Sequence, residues 1–292
     1  MSQAQRLRSL LRRDGMVIAP GAYDCITARL IEQAGFAAAY MTGAGTAATL
    51  GYPDYGLVTM SEMVENAGRI ASAISVPVIA DADTGYGNEL NVVRTVREYE
   101  KRGVAGIHIE DQGFPKRCGH LDDKVIVPLD EYLPKIRAAA SAKRDKDFLV
   151  IARTDSRAVL GFEEAVRRAN AALEAGADMA FVEAPQTLEE VAAVPNLVKG
   201  PCLLNIVHAG KTPELPLDDA ERHGYKLAIV PGMLFKAAIV ACDTALEALR
   251  TTRRYPQPVK RMTVRETFRR VGADEWDPLR ERFKAPPARA AE

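Results

Sequence analysis

Residues 114–120 read FPKRCGH and set Lys116, Arg117, Cys118 and His120 within five positions. A thiol among cations is drawn toward its thiolate, and near neutral pH such a group can give a proton or attack as a nucleophile. Just before it, GIHIEDQG ends a β-rich run in Glu110 and Asp111, and further upstream DADTGYG places Asp81 and Asp83 after a similar run. Side chains two apart on an extended strand share a face, so these two carboxylates should meet, and like charges that meet need a cation or a proton between them. With Glu110 they make an all-oxygen set without His or Cys ligands nearby, which suits Mg²⁺, or Mn²⁺, better than Zn²⁺. Arg153 of RTD either neutralises one of these acids or clamps a substrate carboxylate. The small residues of TGAG, from Thr42, let backbone N–H groups approach an anion. Asp111 and Asp155 read as turn or cap residues, and Cys25, Cys202 and Cys242 as small buried hydrophobes.

The elements that must position these groups follow a βα rhythm. Eight short apolar runs, MVIAP, AAAYM, VPVIAD, GIHIED, FLVIAR, MAFVEA, CLLNIV and LAIVPG, alternate with amphipathic segments such as NELNVVRTVREYEKRG and GFEEAVRRANAALEAGA. Continuous apolar runs suit parallel strands covered on both faces. A doubly wound open sheet gives a similar rhythm, but eight repeats in about 235 residues favour a (β/α)₈ TIM barrel. The polar residues then fall at the carboxyl ends of six strands, where the βα loops converge. Gly119 lets the segment from Gln112 to Val127 bend, and its length suits a lid. The expected division is a barrel over 1–250, a C-terminal helical extension over 251–284 and a disordered tail over 285–292.

Thirty-nine basic and thirty-nine acidic residues cancel, so no global field favours nucleic acid or an anionic membrane. No run approaches the roughly 18 apolar residues of a membrane span, and the amino terminus lacks the apolar core of a signal peptide. The four cysteines are widely spaced, which fits a reducing, cytoplasmic setting.

DADTGYG, GIHIEDQGFPKRCGH, VIARTDS, FVEAP and NIVHAGKTP, in this order, resemble the isocitrate lyase and phosphoenolpyruvate mutase superfamily, and the Lys-Arg-Cys-Gly-His string resembles its carbon–carbon lyases that act on 2-methylisocitrate or 2,3-dimethylmalate. The resemblance implies a Mg²⁺-dependent barrel, a homotetramer and a late helix swapped between subunits. It implies that Asp81, Asp83 and Glu110 hold the metal directly or through water, with Asp83 the first choice as a direct ligand. Thr42, Gly43 and Ala44 would take the substrate carboxylate, and Asp54, Gly119, Arg153, Glu183 and Asn205 would line the pocket. Cys118, His120, Lys116, Tyr40 and Arg153 would carry the chemistry, with Cys118 protonating the carbanion left when the C2–C3 bond of a 2-hydroxy acid breaks. His208, Lys236 and Arg265 are further substrate-binding candidates. His208 stands where the family usually has a glutamate, Lys236 where it has an arginine, and Leu121 where it has a base. Those departures leave less positive charge than a tricarboxylate wants and lean toward a 2-alkylmalate-type dicarboxylate. Oxaloacetate hydrolysis or decarboxylation and phosphonate chemistry are the alternatives within the superfamily.

Overall fold

Every one of the eight apolar runs forms a strand in the computed structural model, which describes residues 1–258 and 261–284. The strands are β1 (Val17–Ala22), β2 (Ala39–Met41), β3 (Val78–Asp81), β4 (Gly106–Glu110), β5 (Leu149–Thr154), β6 (Met179–Val182), β7 (Cys202–Asn205) and β8 (Leu227–Val230). They pair in sequence order, all parallel, and β1 closes on β8 with Val17 opposite Leu227. This is the closed (β/α)₈ barrel.

The helices are α1 (Gln3–Leu11), α2 (Cys25–Gln33), α3 (Gly43–Thr49), α4 (Met60–Ala73), α5 (Glu89–Lys101), α6 (Leu129–Ala142), α7 (Arg157–Leu160), α8 (Phe162–Glu174), α9 (Leu188–Leu197), α10 (Leu217–His223), α11 (Met233–Thr252), α12 (Val264–Arg270) and α13 (Ala273–Lys284). Their starts are written locally. Asp24, Thr59 and Asn88 each accept a backbone N–H of the first turn, which satisfies donors the helix itself cannot, at about 1 kcal/mol apiece. The apolar side of α5, with Val92, Val96 and Tyr99 buried at helical spacing, then packs on the barrel.

Two apolar layers result. Tyr40, Ile79, Ile151, Phe181, Leu203 and Ile229 fill the barrel's interior, and Leu7 of α1, wholly buried, joins that cluster. The second layer lies between strands and helices. The interior is therefore packed below, and the polar strand ends are confined to one rim.

The chain divides into two compact units, Met1–Ala238 and Ile239–Glu292. The second holds the end of α11 with α12 and α13. None of these three helices buries a residue, and Leu246, Phe268, Trp276 and Phe283 stand exposed. Residues 285–292, expected as a disordered tail, lie outside the described residues. Among the described residues no helix is long and apolar enough to cross a membrane.

Candidate active site

The residues at the ends of β2 to β7 are almost all buried, so each needs an accounting of its partners. Asp81 closes β3, but Asp83 lies past the strand in a left-handed conformation, φ 44°. The expected two-residue alternation along one strand is therefore not what joins them: the chain turns, and the Asp83 N–H donates to Asp81 Oδ1 at 2.9 Å. The cation between acids here is Lys116 from the lid. Its ammonium is 2.7 Å from Asp83 and 2.5 Å from Asp54, and only 3% of the residue is exposed. Burial works against its charge, yet Asp83, Asp54, Glu110 and Asp81 together hold its pKa well above the lysine range. Burial, with Asp81 and Asp54 beside it, pushes Asp83 up to about 6 against the pull of Lys116.

His108 was not foreseen. It lies on β4 two residues before Glu110, wholly buried, with Nε2 2.8 Å from the Tyr40 hydroxyl and 3.6 Å from Asp81. The acid cluster thus does have a histidine at its floor. Burial drives the ring's pKa down to about 4, so it is neutral at pH 7. Burial likewise keeps Tyr40 a phenol, its pKa well above the ordinary value.

Glu110 is 0% exposed, and no hydrogen bond reaches either carboxylate oxygen. Its one close cation is Arg153 Nε, at 3.3 Å. Burial pushes its pKa well up. Among the described residues no three His, Cys, Asp or Glu side chains gather closely enough to enclose a metal by direct bonds. Hard, under-satisfied oxygens at such separations fit Mg²⁺ held largely through water, since that ion keeps much of its hydration shell.

Arg153 is less free than a clamp requires. Its Nε and Nη2 donate to Asp155 at 2.8 and 3.0 Å, and its guanidinium lies 5.2 Å from the centre of the Phe181 ring. Glu183 stays well below the carboxylate range: burial opposes ionisation, but Arg153, His120 and Asn205 outweigh it. The Asn205 amide donates to both Glu183 oxygens, at 3.1 and 3.2 Å. Asp111 and Asp155 are not turn or cap residues. Both are wholly buried: Asp111 accepts from the Thr154 hydroxyl, the Asp155 N–H and Arg168, and Asp155 pairs with Arg153 and Lys124.

The lid folds down onto this rim. An antiparallel bridge between Gln112 and Ile126 ties its ends. His120 Nδ1 accepts the Lys211 N–H at 3.0 Å, which leaves Nε2 to donate to Glu183 at 3.1 Å. Gly119 is required by proximity: a Cβ there would sit 2.3 Å from Glu183 Oε1 and 2.5 Å from Arg153 Nη2. Lys124, also unforeseen, donates to the Gly119 carbonyl and lies 3.5 Å from Asp155. Cys118 is half-buried beside this contact. Its expected activation by neighbouring cations does not occur, because Arg117 turns outward to Asp123 and the Tyr55 ring. Burial first, then Asp54, raises the thiol's pKa. The group is therefore an acid at neutral pH.

Gly43 packs directly on Asp81, with room for no Cβ, and the first turn of α3 leaves the N–H groups of Gly43 and Ala44 without intrahelical acceptors next to that carboxylate. Thr42 is the N-cap of that helix. Two further candidates, His208 and Lys236, stand apart, and a third, Arg265, belongs to the second unit. His208 is not gathered into the rim; its side chain is 80% exposed and pairs with Glu214. Lys236 spends its ammonium on the His208 carbonyl, at 2.6 Å. Arg265 lies on α12. Of the other thiols, Cys202 is buried as expected, Cys25 is half-buried and Cys242 is exposed.

A deep rim of acids under a cysteine-bearing lid on a (β/α)₈ barrel narrows the comparison, and the family model for phosphoenolpyruvate phosphomutase matches residues 7–250. The chain belongs to the phosphoenolpyruvate mutase/isocitrate lyase superfamily. Within that superfamily it is 49% identical over 232 residues to 2,3-dimethylmalate lyase of Eubacterium barkeri, covering 79% of this chain and 80% of the relative. It is 45% identical over 243 residues to 2-methylisocitrate lyase of Aeropyrum pernix, covering 83% and 78%. The structure of an oxaloacetate acetylhydrolase in complex with 3,3-difluorooxalacetate matches with a TM-score of 0.93 at 38% identity, covering 98% of this chain and 99% of that one. The chain is a carbon–carbon lyase of this superfamily.

Proposed function

We propose that the enzyme is a Mg²⁺-dependent lyase that cleaves the C2–C3 bond of a 2-hydroxy dicarboxylate of the 2-alkylmalate type, releasing pyruvate and a second carboxylic acid. The observation that carries this reading is the lid's position: Cys118, held as a protonated thiol, sits on a segment pressed onto Arg153 and Glu183. Asp81, Asp83 and Glu110 would hold Mg²⁺, which would supply Lewis-acid stabilisation at the substrate's 2-oxygen. The first turn of α3 orients one substrate carboxylate, and Arg153, held on Asp155 through Nε and Nη2, offers the other only what remains of its guanidinium. The substrate's 2-hydroxyl gives its proton to a carboxylate of the rim, the C2–C3 electron pair stays on the departing carbon as the ketone forms, and the Cys118 thiol gives its proton to that carbon; the proton taken from the hydroxyl restores the thiol. Glu183 and His120 hold the lid down so that water does not reach the carbanion first.

The high identity to a dimethylmalate lyase, together with His208 turned to solvent and no base at Leu121, supports a dicarboxylate over 2-methylisocitrate. Oxaloacetate hydrolysis is the second reading, favoured by the fold's match to an oxaloacetate acetylhydrolase. The phosphonate reading has only the shared barrel and acids, and the thiol speaks against it. The exposed apolar rows of α11 to α13 support a homotetramer with swapped helices, and four free thiols support a cytoplasmic setting.

The test is turnover with Mg²⁺ on 2,3-dimethylmalate, 2-methylisocitrate, isocitrate, oxaloacetate and phosphonopyruvate, following pyruvate or oxalate release. Cys118→Ser should lose about 10²- to 10⁴-fold in kcat with Mg²⁺ binding intact; unchanged kcat removes the thiol from the reaction. Because the acid form acts and its pKa is raised, the alkaline limb of the rate profile should lie above the ordinary thiol value of about 8.5.

A further inference from the structure

Away from the reaction site, a cavity of about 730 Å³ opens among α4, the head of α5, α6 and the root of the lid. Gln112, Gly113 and Phe114 at the lid's root line it, but none of the acids, cations or the thiol of the reaction site does. Its walls include Leu57, Met60, Val127 and Thr95, two cations, Lys135 and Arg94, and two carboxylates, Glu89 and Glu131. On α6 the buried positions are Tyr132, Lys135, Ile136, Ala139 and Ala142, so Lys135 occupies a helical face where apolar residues belong. It is 7% exposed. Among the described residues no acceptor lies within hydrogen-bond or ion-pair distance of its ammonium. The ammonium is not sealed in: it lines the cavity, and no protein acceptor meets it there.

We propose that this cavity is a second small-molecule site, which takes a monocarboxylate with an apolar body and pairs its carboxylate with Lys135. The volume lies in the range of ligand pockets, about 300–1,000 Å³, and far exceeds what a halide or a free phosphate fills. The aliphatic walls select an organic anion. Glu131 and Glu89, which line the cavity too, act on Lys135 without pairing with it; the two cations and two carboxylates of the wall leave no surplus positive charge for a second negative group on the ligand. That preference is opposite to the one the barrel mouth has for dicarboxylates. Burial lowers the pKa of Lys135 against the pull of the two glutamates, which agrees with an ammonium short of compensation.

Isothermal titration of hexanoate into the full-length protein, in whatever assembly it forms, tests the site. Saturable binding is expected, with 1-hexanol at least tenfold weaker, succinate weaker than hexanoate, and hexanoate binding lost in Lys135→Met. Lys135→Arg should retain part of it. Lys135→Met replaces an unpaired cation by an apolar chain of similar shape, so it should fold and turn over substrate like the parent, which shows that any loss of binding is local. No saturable binding, as when a segment of a neighbouring subunit fills the cavity, overturns the proposal, as does hexanoate binding that Lys135→Met leaves unchanged. Neither result bears on the lyase reading, whose test is turnover.

Discussion

Glu110 and Asp111 are neighbours in the chain, both carboxylates, both wholly buried, and they meet opposite surroundings. Asp111 faces outward from the barrel wall and is satisfied by the Thr154 hydroxyl, the Asp155 N–H and Arg168. Glu110 faces the mouth, with no hydrogen bond to either oxygen and one ion pair at 3.3 Å. A satisfied buried acid is a structural member. An unsatisfied one costs stability, and under the function proposed above Glu110 is kept so for a cation. Arg153 links the two, pairing bidentately with Asp155 of the outer cluster while reaching Glu110 of the inner one.

Asp111→Ala should break the outer cluster, because it strips an acceptor from three donors at once and leaves Arg168 with only Glu164 and the Val127 carbonyl. Breaking a buried pair costs about 3–5 kcal/mol, which for a chain of this size is a fall in Tm on the order of 10 °C. A thermal melt checks this, and an unchanged Tm would mean Asp111 is not structural. Glu110→Gln should do the reverse: Tm unchanged or raised, and apparent Mg²⁺ affinity for turnover weakened about 10- to 100-fold. If Glu110→Gln instead lowers Tm as much as Asp111→Ala, the distinction between the two clusters fails.

The barrel was legible because parallel strands covered on both faces leave continuous apolar runs, and every such run became a strand. The acids were legible as polar residues ending those runs. What was not legible depended on backbone turns and on distant partners. Asp83 joins Asp81 through a left-handed turn, not through strand alternation. Arg117 lies next to Cys118 in sequence, yet its side chain turns away, and burial then decides the thiol's pKa. His208 follows Asn205 by three residues, but the chain has left the strand by then and Glu214 holds the ring outside. His108 did leave a signal, since it lies in phase with Glu110 along β4 and strand alternation aims both inward. Lys124 left none, because its partners, Gly119 and Asp155, become neighbours only when the lid is down.

Lys124 is also where the two clusters can be uncoupled with the least damage. Its ammonium fastens the lid, through the Gly119 carbonyl, to Asp155 of the satisfied cluster. Lys124→Met should leave both acid clusters assembled, because Asp155 keeps Arg153 and Asp111 keeps its three donors. What it removes is the hydrogen bond to the Gly119 carbonyl and a longer ion pair to an Asp155 that Arg153 still holds, at least about 1.5 kcal/mol, so the lid should spend about tenfold or more time open. Cys118 reports on that motion: its alkylation by iodoacetamide should quicken about tenfold, with a comparable loss in kcat/KM and little change in Tm. Unchanged alkylation in the variant would place the lid's latch elsewhere, with His120 on Glu183 and Lys116 on Asp83 and Asp54 the remaining fastenings.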